Sequence, residues 1–216
     1  MLTLYHCMNA RSFRPLWTLE ELGLSYDLKI LPFPPRVFAK EYKDVNPLGT
    51  VPTFLDGAMK MTESSAICQY LATRYGGGAL SVAVDDAAYG AWLNWLHFGE
   101  ATLTFPQTLV LRYRRLEPEE RRQPQVADDY AKWFLGRLGA VERAIGGQDY
   151  LCAGRFTAAD ISVGYALLLA TSLKLDAEFP PAVRAYWQRL QARDGYRRAV
   201  LAQEKAAAEQ GLTSPV

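Results

Sequence analysis

The sequence has little of what metal centres and disulfide frameworks require. It contains two histidines and three cysteines among 216 residues, and no two cysteines form a Cys-x-x-Cys pair. Because structural zinc sites draw on clustered Cys and His, we predict no metal site. The cysteines are Cys7, Cys68 and Cys152. Their odd number and wide spacing favour free thiols in a reducing cytoplasm over a disulfide framework.

The chain also lacks a charge bias and any long apolar run. Lys and Arg total 24 against 23 Asp and Glu, for a net charge of +1. Without a basic block we predict no nucleic-acid partner. No apolar run reaches transmembrane length, and residues 1–6 lack the layout of a signal peptide, so we expect no membrane association. The composition is that of a soluble globular protein, and the length suffices for one large domain or two small ones.

The first third of the chain alternates strand and helix patterns. Strands are predicted at residues 2–6, 26–31, 53–56 and 58–61, and helices at residues 13–22, 36–42 and 65–75. Asp56-Gly57 suits the tight turn of a hairpin. The resulting order, β-α-β-α-β-β-α, is that of a thioredoxin-like α/β domain, which we assign to residues 1–76. A glycine run then opens a linker over residues 77–84.

The remainder, residues 85–216, is predicted to be an all-α helical domain. Helical periodicity extends from residue 85 to about 105, where Pro106 should kink or end the helix. Further helices are predicted at residues 126–145, 158–173 and 181–192, and in the tail. Thr157 and Asp160 have the spacing of a capping box that fixes the start of the helix at residues 158–173.

Two nearby segments suggest a receptor for a small extended peptide. Residues 46–52, Asn-Pro-Leu-Gly-Thr-Val-Pro, form a turn that leads into a strand. If the peptide bond before Pro52 is cis, the amide and carbonyl of Val51 face outward and can pair with an extended ligand. Glu63 and Ser64 then precede a helix whose N-terminal amides attract a carboxylate.

These segments, with Glu-Ser-Ser-Ala-Ile at residues 63–67, resemble the glutathione site of the soluble glutathione transferases. The resemblance covers nearly the whole chain, and the capping box matches one found in the helical domain of that family. It implies a cytoplasmic detoxification enzyme that binds glutathione as co-substrate and activates its thiol for attack on a small hydrophobic electrophile. It also implies a homodimer.

The resemblance assigns binding roles to particular residues. The backbone of Val51, before Pro52, should pair with the cysteinyl part of glutathione. Glu63 should bind the ammonium group of the γ-glutamyl end, and Ser64 its carboxylate. Lys40 is a weaker candidate for the glycyl carboxylate, and a solvated lysine is the favoured interpretation there.

The group that activates the thiol is left open. Many family members use a serine four residues before an arginine that matches Arg14, but here that position is Ala10. Ser12 and Asn9 are the two leading donors, with the backbone amides of Ala10 and Arg11 third. Helix capping is the alternative role for Ser12 and Asn9.

Three further expectations concern the rest of the site. Cys7 ends the first strand, which favours a buried structural cysteine over a redox-active one. The electrophile should meet residues contributed by the helical domain and the first loop, and the candidates are Met8, Phe33, Phe98, Thr102, Phe105 and Tyr113. The alternative functions are a glutathione-dependent thiol-disulfide reductase or peroxidase, and a non-catalytic ligand-binding homologue.

Overall fold

A computed structural model describes residues 1–212, which form two compact units. The first contains Met1–Ser81 together with the described residues from Gln191 to Leu212, and the second is Val82–Leu190. The domains predicted from the sequence, residues 1–76 and 85–216, place the segment after residue 190 in the helical domain. In the structure this segment is grouped with the first unit. Within residues 1–212, none of the helices is long and apolar enough to cross a membrane.

The structure confirms the predicted element order. The strands are β1 (Leu2–His6), β2 (Tyr26–Ile30), β3 (Thr53–Asp56) and β4 (Met59–Met61). The α-helices are α1 (Phe13–Glu21), α2 (Pro35–Phe38), α3 (Ser64–Arg74), α4 (Tyr89–Phe98), α5 (Phe105–Leu111), α6 (Pro124–Ala144), α7 (Ala158–Ser172), α8 (Pro181–Gln191) and α9 (Asp194–Glu209). Short 3₁₀ segments lie at Lys40–Asp44, Glu119–Arg121 and Asp176–Glu178, and π-helical segments at Gly99–Thr104 and Arg112–Leu116.

The first unit is built on a four-stranded mixed sheet of order β2-β1-β3-β4. Strand β1 pairs in parallel with β2 and antiparallel with β3, which pairs antiparallel with β4. Leu4 lies opposite Phe54 in the β1–β3 ladder, and both side chains are fully buried. This is the thioredoxin-like arrangement that the sequence predicts.

Helix α9 packs against α1 within the first unit. The rings of Trp17 and Tyr196 meet edge to face at 5.0 Å, and Arg193 donates two hydrogen bonds of 2.8 Å to the carboxylate of Glu21. Gly195 faces the same glutamate so closely that an added Cβ would overlap its side chain. Aromatic packing, an ion pair and a glycine contact therefore bind the last helix to the first.

Pro106 was predicted to kink or end the first helix of the second unit, and the structure shows that it does not end it. Helix α4 continues through the π-helical segment Gly99–Thr104 into α5, where Pro106 lies in the first turn. A proline there removes an amide that has no partner within α5 itself. The predicted start at residue 85 also differs, because Asp86 accepts a hydrogen bond from the Ala88 amide, at 2.7 Å, before α4 begins at Tyr89.

The predicted capping box at the start of α7 is confirmed. The Thr157 hydroxyl accepts a hydrogen bond from the Ala159 amide at 3.3 Å, and Asp160 accepts one from the Thr157 amide at 2.8 Å. Asp160 also accepts bonds from the Leu151 amide, at 3.0 Å, and the Tyr186 hydroxyl, at 2.8 Å. Burial raises the pKa of Asp160, although these donors oppose the shift.

Candidate functional site

The turn at residues 46–52 is fixed by a small set of hydrogen bonds. The Asn46 side chain donates to the Thr50 carbonyl at 2.9 Å, and the Tyr42 hydroxyl donates to the same oxygen at 2.8 Å. Gly49 has φ +61°, and an added Cβ would lie 2.8 Å from that of Arg36, so only glycine fits here. The turn is thus held in one conformation up to the residue before Val51.

Val51 lies at the entrance to β3. The Val51–Pro52 peptide bond is cis, and β3 begins at the next residue, Thr53. Pro52 is buried, whereas Val51 remains partly exposed. A partly exposed residue at the mouth of a sheet strand is a suitable place for backbone pairing with an extended ligand.

The N-terminus of α3 is arranged differently from that of α7. Glu63 precedes the helix in an extended conformation, is exposed, and makes no side-chain capping bond. Ser64, the first helical residue, is 4% exposed, and its hydroxyl accepts a hydrogen bond of 3.1 Å from Nη1 of Arg14. That bond leaves the hydroxyl's own hydrogen as a donor. The start of α3 thus combines backbone amide donors with a serine hydroxyl, Ser64, that is hydrogen-bonded to the buried guanidinium group of Arg14.

Arg14 is the residue of this site that the sequence analysis missed. The sequence relates Arg14 to the site only through its spacing from Ala10, yet its guanidinium group is fully buried on α1. The sequence feature that could have indicated a buried role is the position of Arg14 among the apolar residues Phe13, Pro15 and Leu16. Its partner Ser64, 50 positions away in sequence, is visible only in the structure.

Ser12 is turned into the protein interior. It is fully buried, and its hydroxyl accepts a bond from the Cys7 amide at 3.2 Å and donates to the Cys7 carbonyl at 3.4 Å. Helix capping, the alternative role for Ser12, is not observed, because its side chain makes no capping bond to α1. Its hydroxyl instead fixes the two ends of the loop between β1 and α1.

Cys7 is a buried structural cysteine, as predicted. Its side chain is fully buried, and Sγ lies 3.7 Å from the Pro32 carbonyl oxygen. Burial raises the pKa of the Cys7 thiol to about 12, so this thiol is protonated at neutral pH. A protonated, inaccessible thiol cannot serve as a nucleophile.

The other donors lie on the same loop. Ala10 and Arg11 are partly exposed, but the Ala10 amide already donates to the Cys7 carbonyl at 3.1 Å. Asn9 is partly exposed and has φ +54°, a left-handed conformation that asparagine tolerates better than most residues. Among the side chains considered, the Asn9 carboxamide is therefore the polar group that combines a donor with solvent access.

The remaining candidates are more dispersed. Lys40 is exposed at the start of a 3₁₀ segment. Phe98 and Thr102 line one open groove along α4 and the segment that follows it, which also contains His97. Phe105 is 55% exposed, and the Tyr113 ring lies under the guanidinium group of Arg112 at 5.6 Å. Among residues 1–212, no group of three or more His, Cys, Asp or Glu could hold a metal ion.

Comparison with known proteins identifies the family of this chain. The family model for the glutathione S-transferase N-terminal domain matches residues 1–73, and that for the C-terminal domain matches residues 107–194. Glutathione S-transferase GstA of Escherichia coli O157:H7 is 31% identical over 154 residues, which cover 71% of this chain and 73% of that protein. The chain belongs to the glutathione S-transferase family.

Other relatives extend the similarity. Glutathione S-transferase 3 of Schizosaccharomyces pombe is 34% identical over 103 residues, although these cover only 48% of this chain and 43% of that protein. The solved glutathione transferase URE2P6 from Phanerochaete chrysosporium, in complex with oxidized glutathione, is 28% identical. It covers 95% of this chain and 97% of its own, with a TM-score of 0.82. This family of transferases uses glutathione as substrate.

Proposed function

We propose that this protein binds glutathione in its first unit, lowers the pKa of the glutathione thiol and directs the thiolate at a small hydrophobic electrophile. The observation that carries the proposal is made at the N-terminus of α3, where the buried Arg14 guanidinium group donates a hydrogen bond to the Ser64 hydroxyl. A helix terminus of this kind attracts a carboxylate through its amide dipoles and a nearby positive charge.

The binding roles follow from the exposed donors and acceptors. The γ-glutamyl carboxylate would accept hydrogen bonds from the Ser64 hydroxyl and amide, and Glu63 would pair with the ammonium group. The Val51 backbone, before Pro52, would bind the cysteinyl part. Lys40 would contribute weak attraction for the glycyl carboxylate, because an exposed ion pair is worth little in water.

Asn9 is the proposed donor to the thiolate sulfur. The Ser12 hydroxyl is buried against Cys7, and the Ala10 amide donates to the Cys7 carbonyl, whereas the Asn9 side chain is polar and partly exposed. A donor aimed at the sulfur stabilises the ionised form and lowers its pKa. The thiol proton passes to solvent, the sulfur forms a bond to the electrophilic carbon, and the leaving group departs with its electron pair.

The test is an ultraviolet titration that follows thiolate absorbance of glutathione bound to the protein. We expect a bound-thiol pKa well below the ordinary thiol value, together with turnover of an aryl halide such as 1-chloro-2,4-dinitrobenzene. Glutathione that binds with an unshifted pKa would favour the non-catalytic homologue instead. No binding would contradict the proposal altogether.

A second candidate is reduction of disulfides by the bound thiolate. It is supported by the URE2P6 relative, whose structure contains oxidized glutathione. This version needs no protein thiol, since the sulfur of bound glutathione attacks a substrate disulfide and displaces a thiolate. Turnover of a small disulfide faster than of the aryl halide, with full activity in Cys7→Ala, would favour it.

The cellular setting is part of the proposal. Cys7, Cys68 and Cys152 are free thiols, which supports a reducing compartment such as the cytoplasm. We propose a homodimer, on the family resemblance. Sedimentation of the full chain at several concentrations tests it, and a monomer at all of them would contradict it.

A further inference from the structure

Tyr42 is a buried tyrosine whose hydroxyl lies against the turn at residues 46–52. It belongs to the 3₁₀ segment Lys40–Asp44 and is 3% exposed. Its ring packs against that of Tyr5 in β1, with 5.3 Å between the ring centroids. The tyrosine therefore brings its one polar side-chain group, the hydroxyl, into the interior of the first unit.

The Tyr42 hydroxyl contacts the chain on both sides of Val51. It lies 2.8 Å from the Thr50 carbonyl oxygen and 2.6 Å from Oγ1 of Thr53, which is fully buried. A carbonyl can only accept, so the single hydrogen of the phenol is donated to Thr50. Thr53 must then donate its own hydrogen to the tyrosine oxygen. One hydroxyl thus joins the residue before Val51 to the first residue of β3.

The Thr50 carbonyl is held by two buried side chains. Besides Tyr42, the Asn46 side chain donates to it at 2.9 Å, and Asn46 is itself 2% exposed. Burial raises the pKa of Tyr42, against smaller lowering effects of its hydrogen bonds with Thr53 and Asn46, so the hydroxyl stays a donor at physiological pH. A carbonyl oxygen has two lone pairs, and both are used here.

Holding this carbonyl also fixes the direction of the next amide. The Thr50 carbonyl and the Val51 N–H belong to one planar trans peptide unit, so they point in opposite directions. Because Tyr42 and Asn46 hold the oxygen from the protein interior, the N–H is turned away from both of them. Among residues 1–212, no group accepts a hydrogen bond from the Val51 N–H, and Val51 is partly exposed. This amide can therefore donate to a ligand.

We propose that Tyr42 is a positioning residue for glutathione binding, which keeps the Val51 N–H directed at the cysteinyl carbonyl of the ligand. An N–H can only donate, so the carbonyl is the group of the cysteinyl part that it can bind. This inference rests on the proposed function and adds a residue that contacts neither glutathione nor its sulfur. A donor that is oriented in advance loses less entropy when the ligand binds, so the effect should appear in affinity and not in the thiol chemistry.

The first test removes the hydroxyl and keeps the ring. Tyr42→Phe leaves the Thr50 carbonyl with the Asn46 donor alone, so the peptide unit can turn. We expect the glutathione KM, and the Kd of the unreactive S-methylglutathione, to rise about fivefold, with kcat within about twofold of the original. Tyr26→Phe is the matched control, because its hydroxyl binds Glu20 at 2.5 Å from β2, which β1 separates from β3. It should leave both constants unchanged.

A modified ligand separates positioning from a general loss of structure. In a glutathione analogue whose cysteinyl carbonyl is a thiocarbonyl, the acceptor for the Val51 N–H is weakened and the charged ends are unchanged. Tyr42→Phe should weaken binding of this analogue by less than about twofold. Equal losses for the two ligands would overturn the inference, as would an unchanged glutathione affinity in Tyr42→Phe. Failure of the original protein to bind glutathione would instead remove the proposed function itself.

Thr53→Val keeps the test decisive if Tyr42→Phe does not fold. This substitution keeps the shape of the side chain and removes the donor to the tyrosine oxygen. We expect the glutathione KM to rise at least about twofold with kcat unchanged. In that case a raised KM supports the inference and an unchanged KM refutes it. Where both variants fold, the double variant should bind glutathione like Tyr42→Phe alone, because Thr53 acts through Tyr42, and losses that add would overturn the inference.

Discussion

Helices α7 and α3 begin in opposite ways: the side chains of α7 cap its own first turn, whereas the first turn of α3 keeps the donors that the proposed function requires. At α7, Thr157 and Asp160 satisfy the first amides with their own side chains. At α3, Glu63 makes no side-chain capping bond, and the Ser64 hydroxyl accepts a hydrogen bond from the buried Arg14. A closed helix terminus contributes to folding, whereas an open one retains donors for a ligand.

The largest expected effect is on folding, at the closed terminus. Asp160→Ala removes the acceptor of three buried donors besides the Thr157 side chain. We expect the free energy of unfolding to fall by about 3 kcal/mol, since each orphaned donor loses its partner inside the protein. Urea denaturation measures this loss. A comparable loss of glutathione affinity in the folded variant would contradict the view that the start of α7 acts only in folding.

Acid should act on the two units in opposite directions. His6 on β1 binds Gln203 on α9 at 3.1 Å, and burial holds its folded-state pKa at about 4, below the ordinary value of 6.5. The unfolded chain therefore takes up this proton first, and about 3 kcal/mol of stability present above pH 6.5 is lost as the pH falls toward 4. Asp160 has a raised pKa, so protonation at low pH favours its folded form.

Hydrogen exchange at pH 7 and pH 4.5 checks this acid response. Amides of β1 and α9 should lose protection at the lower pH, while those of α7 retain theirs. The control is His6→Gln, which cannot titrate and should remove much of the pH dependence. Equal losses in both units would contradict the assignment of the acid response to His6.

Substitutions at the start of α3 should mainly change the affinity for glutathione. Ser64→Ala removes the hydroxyl that Arg14 supports, and we expect glutathione affinity to fall about tenfold, or about 1.4 kcal/mol, because a hydrogen bond to a carboxylate is lost. Isothermal calorimetry measures it. Thr157→Ala is the matched control at the closed terminus and should bind glutathione as tightly as the original protein. Equal affinity for the original protein and Ser64→Ala would exclude the carboxylate role.

The smallest expected effect is at the exposed edge of the site. Glu63→Ala should weaken glutathione binding by about 0.5–1 kcal/mol, since an exposed charge pair with the ammonium group is largely screened by water. Glu41→Ala, an exposed glutamate in the 3₁₀ segment, is the control. We expect added salt to narrow the difference between the two variants. Unchanged affinity in Glu63→Ala at low salt would remove its proposed role.

Local rules were sufficient where the relevant contacts are close in sequence. The Asp56-Gly57 turn, the strand register around it and the box of Thr157 and Asp160 all depend on neighbours a few residues apart. The same rules left two alternatives open at Ser12 and at Pro106. The Ser12 hydroxyl bonds to the Cys7 backbone and does not cap α1, while a π-helical segment carries the chain past Pro106.

The sequence by itself determined the order of strands and helices, the turn before Val51 and the family of the protein, because periodicity, proline and glycine act over short distances. Only the tertiary structure decided which polar groups face the site. Arg14 reaches Ser64 across 50 residues, and Gln203 reaches Asn9 across 194. Such pairs depend on how helices pack, and the side-chain type alone did not distinguish a buried partner from an exposed donor.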